Sequence, residues 1–392
     1  MAHSPVPART IRDAAAGIAV LAVTNFVAIT TEMLPVGLLP QISAGVGVSE
    51  SAAGLLVTVY AFVVAAAAVP LTVATRGFAR KPLLLGTLVA YAGSNLVVAL
   101  APSYAVLAVG RTFGGLAHAV FFSVSIAYAS RLVAPLYTGR ALTLVTAGGT
   151  IGFVLGVPLS TSLGTAVGWR WSFGILAALC LVSSLLVARL LPAVTVEPAR
   201  AAGSGPRPGR GRLALVVLAI TVLFAGHYTV YTYVSPLLLA AGLAPEAVGP
   251  VLLAFGAVGL VGLWAAARYL DRAPRAVAVA AIGTIAATLV VIAFTLSSVA
   301  GILVAGGVWL AAFGAVPATT QAAALRTRGA SPDLVGAFVN GSSNLGIGVG
   351  AAVGAAVIAG PGSQTLALTG AAIVAVALVV VLLAPAAFPR EP

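Results

Sequence analysis

Apolar runs long enough to cross roughly 30 Å of hydrocarbon recur at residues 14–39, 52–73, 83–101, 104–130, 141–166 and 172–191, and again at 213–240, 247–269, 276–298, 301–325, 334–360 and 364–388. Twelve helical spans follow from this pattern. Between the two sets, residues 193–212 read AVTVEPARAAGSGPRPGRGR, a Pro-, Gly- and Arg-rich stretch that cannot bury surface and is a flexible linker by composition. The pattern therefore predicts an all-α integral membrane protein. Six spans over 1–192 and six over 213–392 are joined by that linker.

Charge placement tests the same division independently. Of the 20 Lys and Arg, eighteen fall in the tails, the linker and every second loop; Arg170 alone lies on the other side and Arg111 inside the fourth span. By the positive-inside rule both termini and the linker are cytoplasmic, and the protein is a multi-pass protein of the cell membrane. In a soluble chain a net charge of +12 would suggest nucleic acid, but here the basic residues mark topology, and no nucleic-acid partner is expected. With 61% hydrophobic and 7% charged residues and a mean hydropathy of +1.14, the chain is too apolar for a soluble domain. The single cysteine, Cys180, excludes an intrachain disulfide. The first run shows no clear cleavage site and reads as a retained span. Trp169 and Trp171, flanking Arg170, suit an outer interfacial belt.

Within the first run, NFVAITTEMLPVGLLP (25–40) places one carboxylate, Glu32, at membrane depth; the other seven acids fall in loops, tails or helix ends. An ionisable residue there costs roughly 2.5 kcal/mol or more on insertion scales, so it faces a partner or a wet cavity and is a functional candidate by default. The alternative is a glutamate snorkelling to the outer interface. Proton affinity of a buried carboxylate depends on the charge beside it, so moving Arg111 or a cationic substrate relative to Glu32 would switch its protonation and couple transport to pH.

Repetition between the halves supports duplication. Span five carries Gly148, Gly152 and Gly156, and span eleven Gly346, Gly350 and Gly354, at four-residue spacing that lets helix backbones approach closely. These glycines lie inside spans, so they are not a dinucleotide fingerprint, and the only lysine, Lys81, follows Arg80 and not glycine, so there is no Walker loop. No metal-ligand cluster and no convergent nucleophile, base and acid are visible. The chain is expected to be no enzyme, to use no cofactor or metal, and to work as a monomer in the lipid bilayer.

In its motifs the chain resembles the major facilitator superfamily, and within it the twelve-span drug:proton antiporter branch with its arabinose-efflux-permease-like and sugar-efflux-like members. The likeness is carried by TEMLPVGLLPQISAGVGVSESAAGLLVTVYA in spans one and two, GRTFGGLAHAVFF in span four, GGTIGFVLGVPLSTSLG in span five, GWRWSF before span six, GHYTVYTYVSP in span seven and NGSSNLGIGVGAAVG in span eleven. Arg111 and Gly115 match the superfamily's pattern in span four; Gly148, Gly152, Gly156 and Pro158 match its antiporter pattern in span five. The loop after span two departs from it. Where an Asp-Arg pair is common this chain has Thr75 and Arg76, followed by Arg80 and Lys81, so a carboxylate latch falls instead to Asp271 and Arg272 after span eight.

The resemblance implies the major facilitator fold, with two bundles of inverted three-helix repeats rocking about a central site lined by spans one, four, seven and ten. It implies proton-coupled efflux of a small organic compound such as a drug, sugar or nucleoside. Uptake by symport is the alternative; an intramembrane enzyme and a non-transporting sensor are more remote. Asn25 and Glu32 share a helix face at seven-residue spacing, as do Arg111 and His118. Counted from the outer ends of their spans, Glu32 is level with Arg111, and Asn25 with His118. Arg111 is either Glu32's partner or a structural, carbonyl-bonded arginine, and His118 either a cavity residue or a hydrogen bond between helices. His227 and Tyr231 in span seven line the opposite wall or make polar interhelical contacts; Gln321 in span ten and Asn340 and Asn344 in span eleven complete the candidates.

Overall fold

The computed structural model describes residues 10–75, 77–194 and 209–389. Six of its long apolar helices are Ala15–Gly37, Glu50–Ala74, Arg80–Leu100, Tyr104–Ala129, Thr138–Val167 and Trp169–Leu190. Six more are Arg210–Ala240, Pro245–Tyr269, Pro274–Thr295, Val299–Arg326, Leu334–Ala359 and Ser363–Leu383. These are spans one to twelve. Their ends follow the apolar runs, except that span twelve stops at Leu383 and not at 388. Pro385 disfavours helical backbone at the residue before it, and Ala384 leaves the helix with φ −112° and ψ 58°. Most of the 193–212 linker, and Arg76, lie outside the described residues, and span seven already begins at Arg210 within that stretch.

Prolines set the shape of the two spans that pack against each other in the first half. Span one is helical to Gly37, breaks at Leu38 and restarts as a short helix, Leu39–Val46, with Pro40 in its first turn. In span five Pro158 has no N–H to return to Val154. The turn before it widens to a π-helix over Gly152–Gly156, closed by the Val157 N–H on the Gly152 carbonyl.

The glycine triplets are the contact surfaces. A Cβ on Gly148, Gly152 or Gly156 would collide with the Ala22 carbonyl, the Phe26 carbonyl and the Thr30 hydroxyl, so span five lies with its backbone on span one, turn for turn. In the second half Gly346, Gly350 and Gly354 meet the carbonyls of Thr221, Ala225 and Thr229 in span seven. One packing device thus occurs twice, five on one and eleven on seven.

Among the described residues the hydrogen bonds between the halves gather at one end of the bundle. Ser51 Oγ donates to the Ala355 carbonyl at 2.8 Å, and Thr58 Oγ1 to that of Gly348 at 3.3 Å. Ser235 Oγ shares its proton between the carbonyls of Val36 and Gly37, at 3.0 and 3.1 Å. Gly249 of span eight packs on Ser162 and Pro158 of span five at the same end. The halves are closed where span one finishes and span two begins.

Candidate functional site

The site begins with a missing donor. Pro35 cannot return an N–H to the Thr31 carbonyl four residues back, and Arg111 of span four fills the gap. Its Nη1 donates to Thr31 O and its Nη2 to Glu32 O, each at 2.9 Å, while its guanidinium carbon sits 4.0 Å from the centre of the Tyr60 ring. Arg111 is 2% exposed. Its charge is therefore fastened to the main chain of span one rather than to the carboxylate. Pro40 repeats the motif: it leaves the Val36 carbonyl free, and Ser235 from the other half takes it.

Glu32, 5% exposed, turns its carboxylate to His118, whose Nε2 lies 3.8 Å from Oε2. The other ring nitrogen, Nδ1, is 2.8 Å from the Tyr91 hydroxyl. Tyr60 meets the imidazole edge-on at 5.8 Å, and Phe122 is nearly parallel to it, 11° apart. Glu32, His118 and Tyr91 thus form a chain of titratable groups walled by aromatic rings and by the Arg111 staple.

One expected pairing is corrected here. Counting placed Asn25 level with His118, but Asn25 Nδ2 donates to Ser125 Oγ and to the Leu21 carbonyl, both at 2.8 Å. His118 belongs with Glu32. Helical side chains lean toward their own N-terminus, and spans one and four run antiparallel. Glu32 therefore leans back along span one and His118 leans toward it along span four, so their tips meet although their Cα atoms are offset. Asn95 of span three completes the group from behind, donating to Thr31 Oγ1 at 3.1 Å.

On the facing half, His227 and Tyr231 stack at 5.2 Å and 20°, with Trp309 and Phe313 of span ten against the same imidazole. Tyr228 crosses between the halves, its hydroxyl 3.4 Å from the Met33 sulfur, one residue from Glu32. Asn344, buried, donates to Asn340 Oδ1 at 3.2 Å within span eleven; Asn340 and Gln321 are half-buried. A small apolar hollow lies elsewhere in this half, among Ile220, Leu223, Ile282, Val316 and Phe388, and none of its lining belongs to the Glu32 group.

The loop residues make local contacts. Lys81 Nζ donates to the Ala188 and Leu191 carbonyls at the end of span six, at 2.8 and 2.6 Å, and Arg80 Nη1 to that of Thr75 at 3.1 Å. Asp271 pairs with Arg326 at 3.6 Å within the second half, and Arg272 is exposed. Trp171 is exposed, but Trp169 is buried with Arg170 over its ring at 4.3 Å, so one tryptophan and not two faces outward. Among the described residues no group of three His, Cys, Asp or Glu converges as a metal site.

Sequence reasoning missed Tyr60, Tyr91, Asn95, Ser125, Trp309 and Phe313. Two pairs carried a readable signal: Tyr91 with Asn95, and Trp309 with Phe313, each four apart and so on one helix face.

Residues 21–336 match the family model of the Major Facilitator Superfamily. The chain belongs to that superfamily. A probable sugar efflux transporter of Mannheimia succiniciproducens is 29% identical over 95% of this chain and 94% of its own length. A chloramphenicol efflux pump of Mycobacterium tuberculosis is 34% identical over 86% and 84%. Among solved structures, the human organic anion transporter MFSD10 superposes with a TM-score of 0.72 at 17% identity, covering 95% of this chain and all of that one. The transporter FucP, in its outward conformation, gives 0.64 at 16% identity over 94% of this chain and 98% of its own. These last two share the fold. As a superfamily member the chain is a multi-pass secondary transporter of small molecules, and not an enzyme.

Proposed function

We propose that this transporter exports a small organic compound in exchange for protons, with Glu32 as the group that carries the proton. The supporting observation is the placement of the one acid in a span interior: buried, in contact with His118, and one residue from Met33, where Tyr228 of the other half touches down. Rocking of the halves has to break the contacts at Met33, Val36 and Gly37. Protonation of Glu32 and closure of the halves are then linked through the same short stretch of span one. Arg111 holds spans one and four together, so His118 travels with Glu32 while the second half moves past both. The efflux names of the two relatives favour export.

The test uses purified protein in liposomes containing a pH-sensitive dye, with chloramphenicol and a panel of sugars added outside. Antiport drives protons out as the compound enters and raises the lumenal pH; symport lowers it. A compound that is transported with no change in lumenal pH removes proton coupling.

We also propose that the termini and linker are cytoplasmic and that the closed end of the bundle is the outer one. Single cysteines at Ser49 and Ser204, in a Cys180→Ala background, are expected to differ on intact cells: only the Ser49 variant reacts with an impermeant thiol reagent. Equal labelling of both refutes this orientation.

A further inference from the structure

His227 of span seven is fully buried, and its hydrogen bonding is incomplete in a specific way. Trp309 Nε1 lies 3.1 Å from His227 Nδ1. An indole nitrogen can only donate, so Nδ1 must accept, and the neutral imidazole then carries its proton on Nε2. Nε2 is buried with no hydrogen-bond partner. The tryptophan thus fixes a tautomer whose one donor is left unanswered.

What surrounds this donor is planar. Phe313 stacks on the imidazole at 3.5 Å and 7°, and Tyr231 at 5.2 Å and 20°. Phe153, from the π-turn of span five in the other half, stacks in turn on Tyr231 at 5.6 Å and 24°. The row of rings therefore runs across the division between the halves, and its last member leaves when they part.

We propose that His227, framed by Tyr231, Trp309 and Phe313, is a subsite for an uncharged aromatic ring carrying a hydrogen-bond-accepting oxygen group, such as a nitro group. This rests on the reading that the chain carries a small organic compound, and it names the class. The oxygen accepts the Nε2 proton, and the planar group packs among these ring faces once Phe153 has withdrawn with its half. Ring faces also attract cations, but the free group here is an N–H, whose outward end is positive. Spans five, seven and ten hold no acid, and the Glu32 carboxylate is turned to His118. A sugar needs many polar partners at once and meets chiefly ring faces here.

The test is a binding titration on the full-length protein with Trp309 as its sole tryptophan, through Trp169→Phe, Trp171→Phe and Trp264→Phe. The probes are chloramphenicol and its analogue with hydrogen in place of the nitro group, with tetraphenylphosphonium and glucose as cation and sugar arms. Chloramphenicol is expected to quench Trp309 and to bind about tenfold more tightly than the analogue, which is about 1.4 kcal/mol. His227→Phe keeps the stack without the donor, so it lowers chloramphenicol to the level of the analogue and leaves the analogue's own binding unchanged, which also reports a folded protein. His227→Gln, which retains an N–H, recovers part of the difference. Equal weakening of both probes, no change in either, tighter binding of the cation or glucose, or no quenching by chloramphenicol overturns the proposal. No pH gradient is present in this titration. A failure of proton exchange in liposomes therefore leaves its result untouched, and its own failure leaves proton exchange standing.

Discussion

Glu32→Gln is expected to abolish uphill transport, reducing substrate accumulation in proteoliposomes under a pH gradient to the level of empty liposomes. The amide keeps the shape of the side chain and its place beside His118, but it cannot take up and release a proton. Binding and downhill exchange are expected to persist, because the ring cluster around His227 is on the other half. Glu32→Asp retains a titrating group drawn back by one methylene from a contact that is already 3.8 Å, and partial activity should remain. A structural or snorkelling glutamate predicts the opposite division, with reduced expression or stability and intact coupling. A Glu32→Gln protein that still concentrates substrate would end the mechanism proposed here.

Hydropathy located the spans because a bilayer allows little else: backbone groups must be satisfied within each helix, so a span is an unbroken apolar run. The glycine stripes were legible for a similar reason, since only a missing side chain lets span five lie on the carbonyls of span one. Side-chain partners were harder to read. Residue counting fixes the height of a Cα and not the lean of the side chain, which is why counting sets His118 level with Asn25 although its side chain meets Glu32. For Arg111 the carbonyl-bonded alternative is the one the structure shows; an inventory of side chains does not say which carbonyl it serves, although Pro35, four residues after Thr31, announced a free one. The rings on His227 come from span ten, some 80 residues downstream. Only tertiary packing brings such a distant pair together, so the sequence offered the four-residue spacing of Trp309 and Phe313 and nothing about what they face.

Arg111→Leu is expected to unfold at markedly lower temperature in mild detergent, and Pro35→Ala is expected to restore about half of the loss. Removing the guanidinium leaves the Thr31 carbonyl buried and unpaired, at about 1–3 kcal/mol, and forfeits the contact with the Tyr60 ring, at about 2 kcal/mol when desolvated. Alanine at position 35 brings back the backbone N–H that proline lacks, so the helix itself can satisfy Thr31 and the first of these penalties disappears. The ring contact stays lost, which is why the rescue stops near half. In the wild-type background Pro35→Ala should do little, because Arg111 already occupies that carbonyl. The two substitutions are therefore coupled, by about 1 kcal/mol or more in a double-mutant cycle; strictly additive effects would show that the fork does not serve the carbonyl freed by Pro35. Transport separates the second role from the first. The double variant regains fold but not the positive charge beside Glu32, nor the staple that makes spans one and four move together, so its proton-driven accumulation is expected to stay near that of Arg111→Leu. Full recovery of accumulation would reduce Arg111 to a substitute for one missing backbone hydrogen bond.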